Sequence, residues 1–188
     1  SAYKTLKQRS RVFHNGSAFS STSSAPINFL PGPVAIGEPV MKAFTQLPVS
    51  HRSKAFMEVF ANTKHLLCQL TGSQSVEIFT GSGTLANDVV AGQLSLTKKT
   101  GLVLTNGEFG DRLIDHATRF GLPHHILQAD WGAAFNPDDI RHTLDKNADI
   151  GWLWAVHGET SSGSRNDLGR LQQLCAERSV LLCLDCTS

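Results

Sequence analysis

Two glycines alternate with hydroxyl side chains in Thr80-Gly81-Ser82-Gly83-Thr84, immediately before a helical pattern carried by Leu85, Val89, Val90 and Leu94. The glycines permit a tight turn and close backbone approach. The first N–H groups of the following helix have no intrahelical acceptor, so they and the hydroxyls of Ser82 and Thr84 could bind a phosphate. On glycines alone, a capped turn with no ligand reads the same way. Asp185 follows the apolar run Val180-Leu181-Leu182-Cys183-Leu184, which presents a carboxylate from the end of a buried strand, as a turn cap or as a working group. Phe109 sits in the glycine-flanked run 106–110 and could plug the core or offer a flat face to an aromatic ring. His157-Gly158-Glu159-Thr160-Ser161-Ser162-Gly163 suits either a bare surface loop or a polar binding loop. His51-Arg52 could contact an anion or merely charge a helix start. The other histidines, His124 and His125 included, lack the periodicity of metal ligands and read as surface residues, and no metal is expected.

These residues need a frame that brings them together, and the chain alternates strand and helix in the way a mostly parallel sheet covered on both faces is written. A strand is expected at 76–79 leading into the glycine turn, then strands at 101–105, 125–127, 150–156 and 180–184. Helices are expected at about 39–44, 54–70, 111–120, from Asn136-Pro137 onward and at 168–178, with loops at 106–110 and 157–166. In open sheets of this kind ligands bind beyond the carboxyl ends of the strands. The loops after Phe79, Thr105, Val156 and Leu184 should therefore converge.

The organisation expected is a polar, serine-rich arm over 1–25, an N-terminal segment and linking helix over 26–70, and a ligand-binding domain over 71–188. A net charge of +1 over 188 residues provides no field for nucleic acid. No apolar run is long enough for a membrane span or a signal peptide, so a soluble cytoplasmic protein is expected. Cys68, Cys175, Cys183 and Cys186 are not spaced for zinc and read as buried free thiols, with Cys183 and Cys186 on opposite faces of a strand.

Taken together, these elements resemble the class V aminotransferases among the fold-type I pyridoxal phosphate enzymes, from about Asn28 to Ser188. Leu30-Pro31-Gly32-Pro33 resembles the proline-glycine-proline segment that lines the substrate side of the site in that family. The resemblance implies that Ser82, Gly83 and Thr84 hold the cofactor phosphate and that Phe109 stacks on the pyridine ring. It also implies that Thr160 lies near the phenolic oxygen and that Asp185 pairs with the pyridine nitrogen. Loops 106–110 and 157–160 look most like those of alanine–glyoxylate, serine–glyoxylate and aminoethylphosphonate transaminases. Ser50-His51-Arg52-Ser53 is similar to the pair that contacts substrate phosphate in phosphoserine aminotransferases. The implied reaction moves an amino group from a small amino acid or aminophosphonate to glyoxylate or pyruvate, in a homodimer. Cysteine desulfurases share the fold but carry histidine where Phe109 stands.

The family's Schiff-base lysine lies on the strand after the aspartate, and none of the chain's lysines matches it. The expectation is therefore a piece of a longer enzyme, inactive alone. Two rival readings remain. A non-catalytic fragment could bind cofactor or a partner, and Gly81-x-Gly83-x-x-Ala86 fits a dinucleotide-binding turn, although Leu104-Thr105-Asn106 offers no acid for the ribose.

Overall fold

A computed structural model of the chain describes residues 28, 30, 32 and 34–187. The arm at 1–25 and the expectations resting on Ile27, Phe29, Pro31 and Pro33 lie outside the described residues. Contacts divide the chain into two units at Gln46/Leu47. In the first, Glu38–Phe44 forms a short helix, α1, with Pro39 in its first turn, where a missing N–H costs nothing.

The second unit opens with α2, Lys54–Thr71. Its N-cap Ser53 accepts from Phe56 N, and Gly72 stops it in the left-handed region at φ 67°. None of its residues is buried, and Met57, Val59, Leu66 and Leu70 are exposed. Then come α3 (Gly83–Thr97), β1 (Thr100–Thr105), α4 (Glu108–Arg119), β2 (His124–Gln128), α5 (Pro137–Lys146) and β3 (Ile150–Val156). A two-residue ladder of β4 (Gly158–Glu159) with β5 (Ser164–Arg165), α6 (Leu168–Ala176) and β6 (Leu181–Asp185) complete the unit. Asn136 and Asp167 cap α5 and α6 by accepting from Asp138 N and Arg170 N. Both are short-chain acceptors placed where a helix has orphan N–H groups.

The main sheet has the order β2-β1-β3-β6 and is parallel throughout. Parallel strands are buried on both faces, which is why β1 and β3 read as continuous apolar runs rather than alternating ones. One face packs Leu102, Leu104, Leu153 and Ala155 against Ile140, Leu144, Leu171 and Leu174 from α5 and α6. The other packs Val103, Trp152, Trp154 and Val156 against Ala91, Leu94, Leu113 and Ala117 from α3 and α4. The result is a three-layer α/β arrangement with helices on both faces. Among the described residues no helix is long and apolar enough to cross a membrane.

Several expectations are corrected. Residues 76–79 form no strand, because the sheet edges β2 and β6 lie elsewhere and an extended segment without a ladder partner leaves Ile78 and Phe79 exposed. The loop expected at 106–110 is shorter, since α4 already begins at Glu108. The loop at 157–166 carries the β4–β5 ladder. His116 is not a surface residue: it is 4 % exposed, on the same stripe of α4 as Leu113 and Ala117. Of the thiols, Cys175 is buried and Cys68 and Cys183 are half-buried, but Cys186, beyond the end of β6, is exposed. Burial pushes the Cys175 and Cys183 thiols up to about 11.

Gly101 shows how tightly the α3/α4 side is filled. A Cβ there would stand 2.1 Å from the indole of Trp152, whose Nε1 is tied to the Lys99 carbonyl at 3.0 Å. Gly101→Ala is expected to cost about 1–3 kcal/mol by overpacking, read as a lower urea midpoint at unchanged slope.

Candidate active site

Parallel pairing brings the carboxyl ends of β1, β3 and β6 to one edge of the sheet. Register places Asp185 beside Val156, and His157 N donates to the Asp185 carbonyl at 2.8 Å. Asp185 points to the α3/α4 face, where three donors meet its carboxylate. Asn87 Nδ2 donates to Oδ2 at 2.8 Å, while Thr187 N and Oγ1 donate to Oδ1 at 2.9 and 2.5 Å. Burial by itself would raise the Asp185 pKa, but the hydrogen bonds from Asn87 and Thr187 outweigh it, so the carboxyl is held below its ordinary value. Asn87 lies one turn into α3, and Thr187 also covers the start of that helix. A Cβ on Gly83 would stand 2.9 Å from Thr187 Oγ1. The N-cap Ser82, Gly83 and Thr84 are thus tied to Asp185 through both neighbours.

A second knot joins the β1 and β3 loops. Glu159 is fully buried, with no cationic partner among the described residues. Its Oε2 accepts from Gly110 N at 3.0 Å, and its Oε1 accepts from Phe109 N, Ser161 N and Ser161 Oγ at 3.3, 3.2 and 2.5 Å. The carboxylate therefore caps the N-terminus of α4, where orphan N–H groups and the helix dipole favour negative charge. Gly107 makes room for it, since a Cβ there would lie 2.5 Å from Glu159 Cγ. Phe109 is half-buried against the Trp154 cluster and carries the Arg112 guanidinium 4.8 Å over its ring. Thr160 follows Glu159 directly and is half-buried. Beneath the loops, Asn106 Nδ2 donates to Asn166 Oδ1 at 3.0 Å, and Asn166 Nδ2 donates to the Val156 carbonyl at 2.8 Å.

The structure thus groups the start of α3 with Asp185, and Phe109 with the loop of Thr160, at neighbouring strand ends. It does not bring in His51 or Arg52, which are exposed before α2 with no side-chain hydrogen bond or ion pair among the described residues. Gly32 is exposed in the other unit, and Pro31 lies outside the described residues. Sequence reasoning did not single out Glu159, Asn87 or Thr187. Asn87 and Thr187 carried a positional signal, being polar and within a turn of the glycine motif and of Asp185. Glu159 carried none beyond being the sole acid in a hydroxyl-rich loop.

The family described as aminotransferase class-V matches residues 40–188, and the chain belongs to that family. An uncharacterized aminotransferase of Helicobacter pylori is 32% identical over 149 residues, spanning 79% of this chain and 40% of that protein. The serine–glyoxylate aminotransferase of Methylorubrum extorquens is 30% identical over 157 residues, spanning 77% of this chain and 37% of that protein. Among solved structures, the alanine–glyoxylate aminotransferase of Nostoc sp. superposes with a TM-score of 0.69 at 27% identity, over 87% of this chain and 44% of that one. The fold is accordingly that of the fold-type I pyridoxal phosphate transferases. The chain spans about two-fifths of the length of the curated relatives it matches.

Two changes probe this architecture. Glu159→Ala leaves the buried N–H groups of Phe109 and Gly110 without acceptors and is expected to cost about 2–4 kcal/mol, measured by urea unfolding. Asp185 has a folded pKa below its unfolded value of about 4, so its ionised form stabilises the fold above that pH. The contribution is lost as pH falls through the folded value, and Asp185→Asn is expected to show a flatter fall in urea midpoint on acidification than the unaltered protein.

Proposed function

We propose that this chain carries the cofactor-binding half of a pyridoxal phosphate-dependent aminotransferase. The reaction moves an amino group from a small amino acid or aminophosphonate to glyoxylate or pyruvate. One observation carries the reading: an ionised carboxylate at the end of β6 is tied through Asn87 to a helix whose N-terminus is a glycine-hydroxyl turn. The residues fit the cofactor in two respects. Ionised Asp185 accepts three hydrogen bonds, and a carboxylate offers about four lone-pair sites, so one acceptor position on Oδ2 is left for a ring N–H. Gly81, Ser82 and Thr84 are exposed, so the donors of the turn are open to a ligand.

Pyridoxal phosphate would supply an electron sink at its ring and an aldehyde carbon that takes the amino group from the donor and gives it to the acceptor. In this reading Asp185 keeps a proton on the ring nitrogen, because an adjacent negative charge favours the protonated form. Ser82, Gly83 and Thr84 bind the phosphate with N–H and hydroxyl donors, helped by the positive end of α3. Phe109 holds the ring plane, and its own orientation is fixed by the core beneath it and by the bond from its N–H to Glu159. Thr160 supplies a hydroxyl near the phenolic oxygen. Pro31, Gly32, His51 and Arg52 are assigned to the substrate side. A homodimer belongs to the same proposal, supported by the exposed apolar side chains Met57, Val59, Leu66 and Leu70 of α2. The dinucleotide alternative has less support, because no ladder strand leads into the glycine turn.

The test is made on the full-length protein, incubated with pyridoxal phosphate, reduced with borohydride and weighed intact. Amino transfer from alanine, serine or 2-aminoethylphosphonate to glyoxylate and pyruvate is then followed by product analysis. A pyridoxyl adduct and turnover with one donor–acceptor pair are expected, with Asp185→Ala lowering kcat by about a hundredfold or more. No adduct and no transfer would overturn the proposal.

A further inference from the structure

Consecutive residues on one turn of α3 face two different elements. Asn87 donates to Asp185 Oδ2 at 2.8 Å, at the end of β6. Asp88 turns to α4, where its Oδ1 lies 2.7 Å from His116 Nδ1 and 3.1 Å from Arg119. Among the described residues, these are the side-chain hydrogen bonds that join α3 to other elements. His116 is buried, and its ring leans on the fully buried Trp154 at 6.2 Å between centroids. Ala91 and Leu94 seat α3 in the apolar core, and the His116–Asp88 pair, buried at the imidazole and partly exposed at the carboxylate, adds a directional contact that is satisfied in one register only. Ser82, Gly83 and Thr84 begin the same helix one turn earlier, so whatever fixes that register fixes the glycine turn relative to Asp185.

We propose that Asn87 is a positioning residue for Asp185, and that His116, by holding Asp88 on the same turn, sets the register of α3 that brings Asn87 to it. The ligand concerned is an aromatic ring bearing both a phosphate and a protonated nitrogen, and the inference rests on the cofactor reading above. Asn87 and Thr187 together occupy the other acceptor positions of the carboxylate, which directs the remaining Oδ2 lone pair outward. Without Asn87, the carboxylate can rotate about Cβ–Cγ and the ring nitrogen loses a fixed acceptor.

Full-length protein with Asn87→Leu or His116→Leu is titrated with pyridoxal phosphate and with its analogue bearing CH in place of the ring nitrogen. The unaltered protein is expected to prefer the natural cofactor. Asn87→Leu should shrink that preference about tenfold, the scale of one hydrogen bond to a charged group, with competition by inorganic phosphate unchanged. His116→Leu should shrink it by a smaller factor. An equal loss for both ligands would mark Asn87 as merely structural and overturn the proposal. The Asp185 carboxyl titration, followed by carbon NMR in the cofactor-free protein, keeps the test independent of turnover. Its midpoint should rise in Asn87→Leu, and an unmoved midpoint would overturn the proposal. If Asn87→Leu does not fold, Asn87→Ser, too short to reach Oδ2, is expected to give the same two shifts. Should the unaltered protein not distinguish the two ligands, the cofactor reading fails, and the carboxyl titration still decides whether Asn87 positions Asp185.

Discussion

Parallel pairing of β1, β3 and β6 forces their polar ends to one edge of the sheet, and the Val156↔Asp185 register fixes which side chains meet there. A one-residue slip of β6 would turn Asp185 to the α5/α6 face and bring a leucine to Asn87. The slip is resisted from inside the sheet. Trp152 and Trp154 are fully buried on the α3/α4 side, packed edge to face at 6.5 Å, and Cys183 lies in register with Trp154. The apolar core therefore fixes where β6 presents its polar end.

Polar groups buried just under that edge do the finer work. Glu159 caps α4 from across the sheet, so the start of α4 and the β4–β5 turn move as one piece. Asn106 and Asn166 couple the same two loops one layer lower, through a bond that ends on the Val156 carbonyl. Each of these side chains is satisfied, which matters because an unpaired buried acceptor costs more than a pair contributes. The edge is thus rigid at the β1 and β3 loops and is anchored at β6 through Asn87 and Thr187.

A site built in this way suits a ligand with three separate handles. In the proposed reading the N-terminus of α3 offers positive potential, Asp185 a negative charge and Phe109 an aromatic ring, each from a different element. Among the described residues the carboxylate has no cationic side chain hydrogen-bonded to it, so amide and hydroxyl dipoles keep it ionised. Such dipoles stabilise the negative charge without neutralising it, and leave its field free to act on a ligand.

Much of this was legible before the fold was known. Residues 150–156 read as a buried strand because seven residues without a charge, two of them tryptophan and the rest apolar or glycine, leave few other options. Caps such as Asn136-Pro137 and Gly72 marked helix ends by local chemistry alone. The glycine turn and Asp185 stood out because their residue types are unusual at the ends of apolar runs. Partnership was not legible. Residues 76–79 have strand composition, but a strand exists only where another chain segment accepts its hydrogen bonds. His116 looked exposed because an amphipathic helix shows its periodicity without saying which borderline residue the core will take. The roles of Asn87, Glu159 and Thr187 depend on atoms far away in sequence or around a turn, and side-chain type alone carries no record of them. Local propensity and patterning thus settled which elements form. Long-range packing alone decided which polar groups meet, since hydrogen bonds between distant residues exist only once the core has fixed their separation.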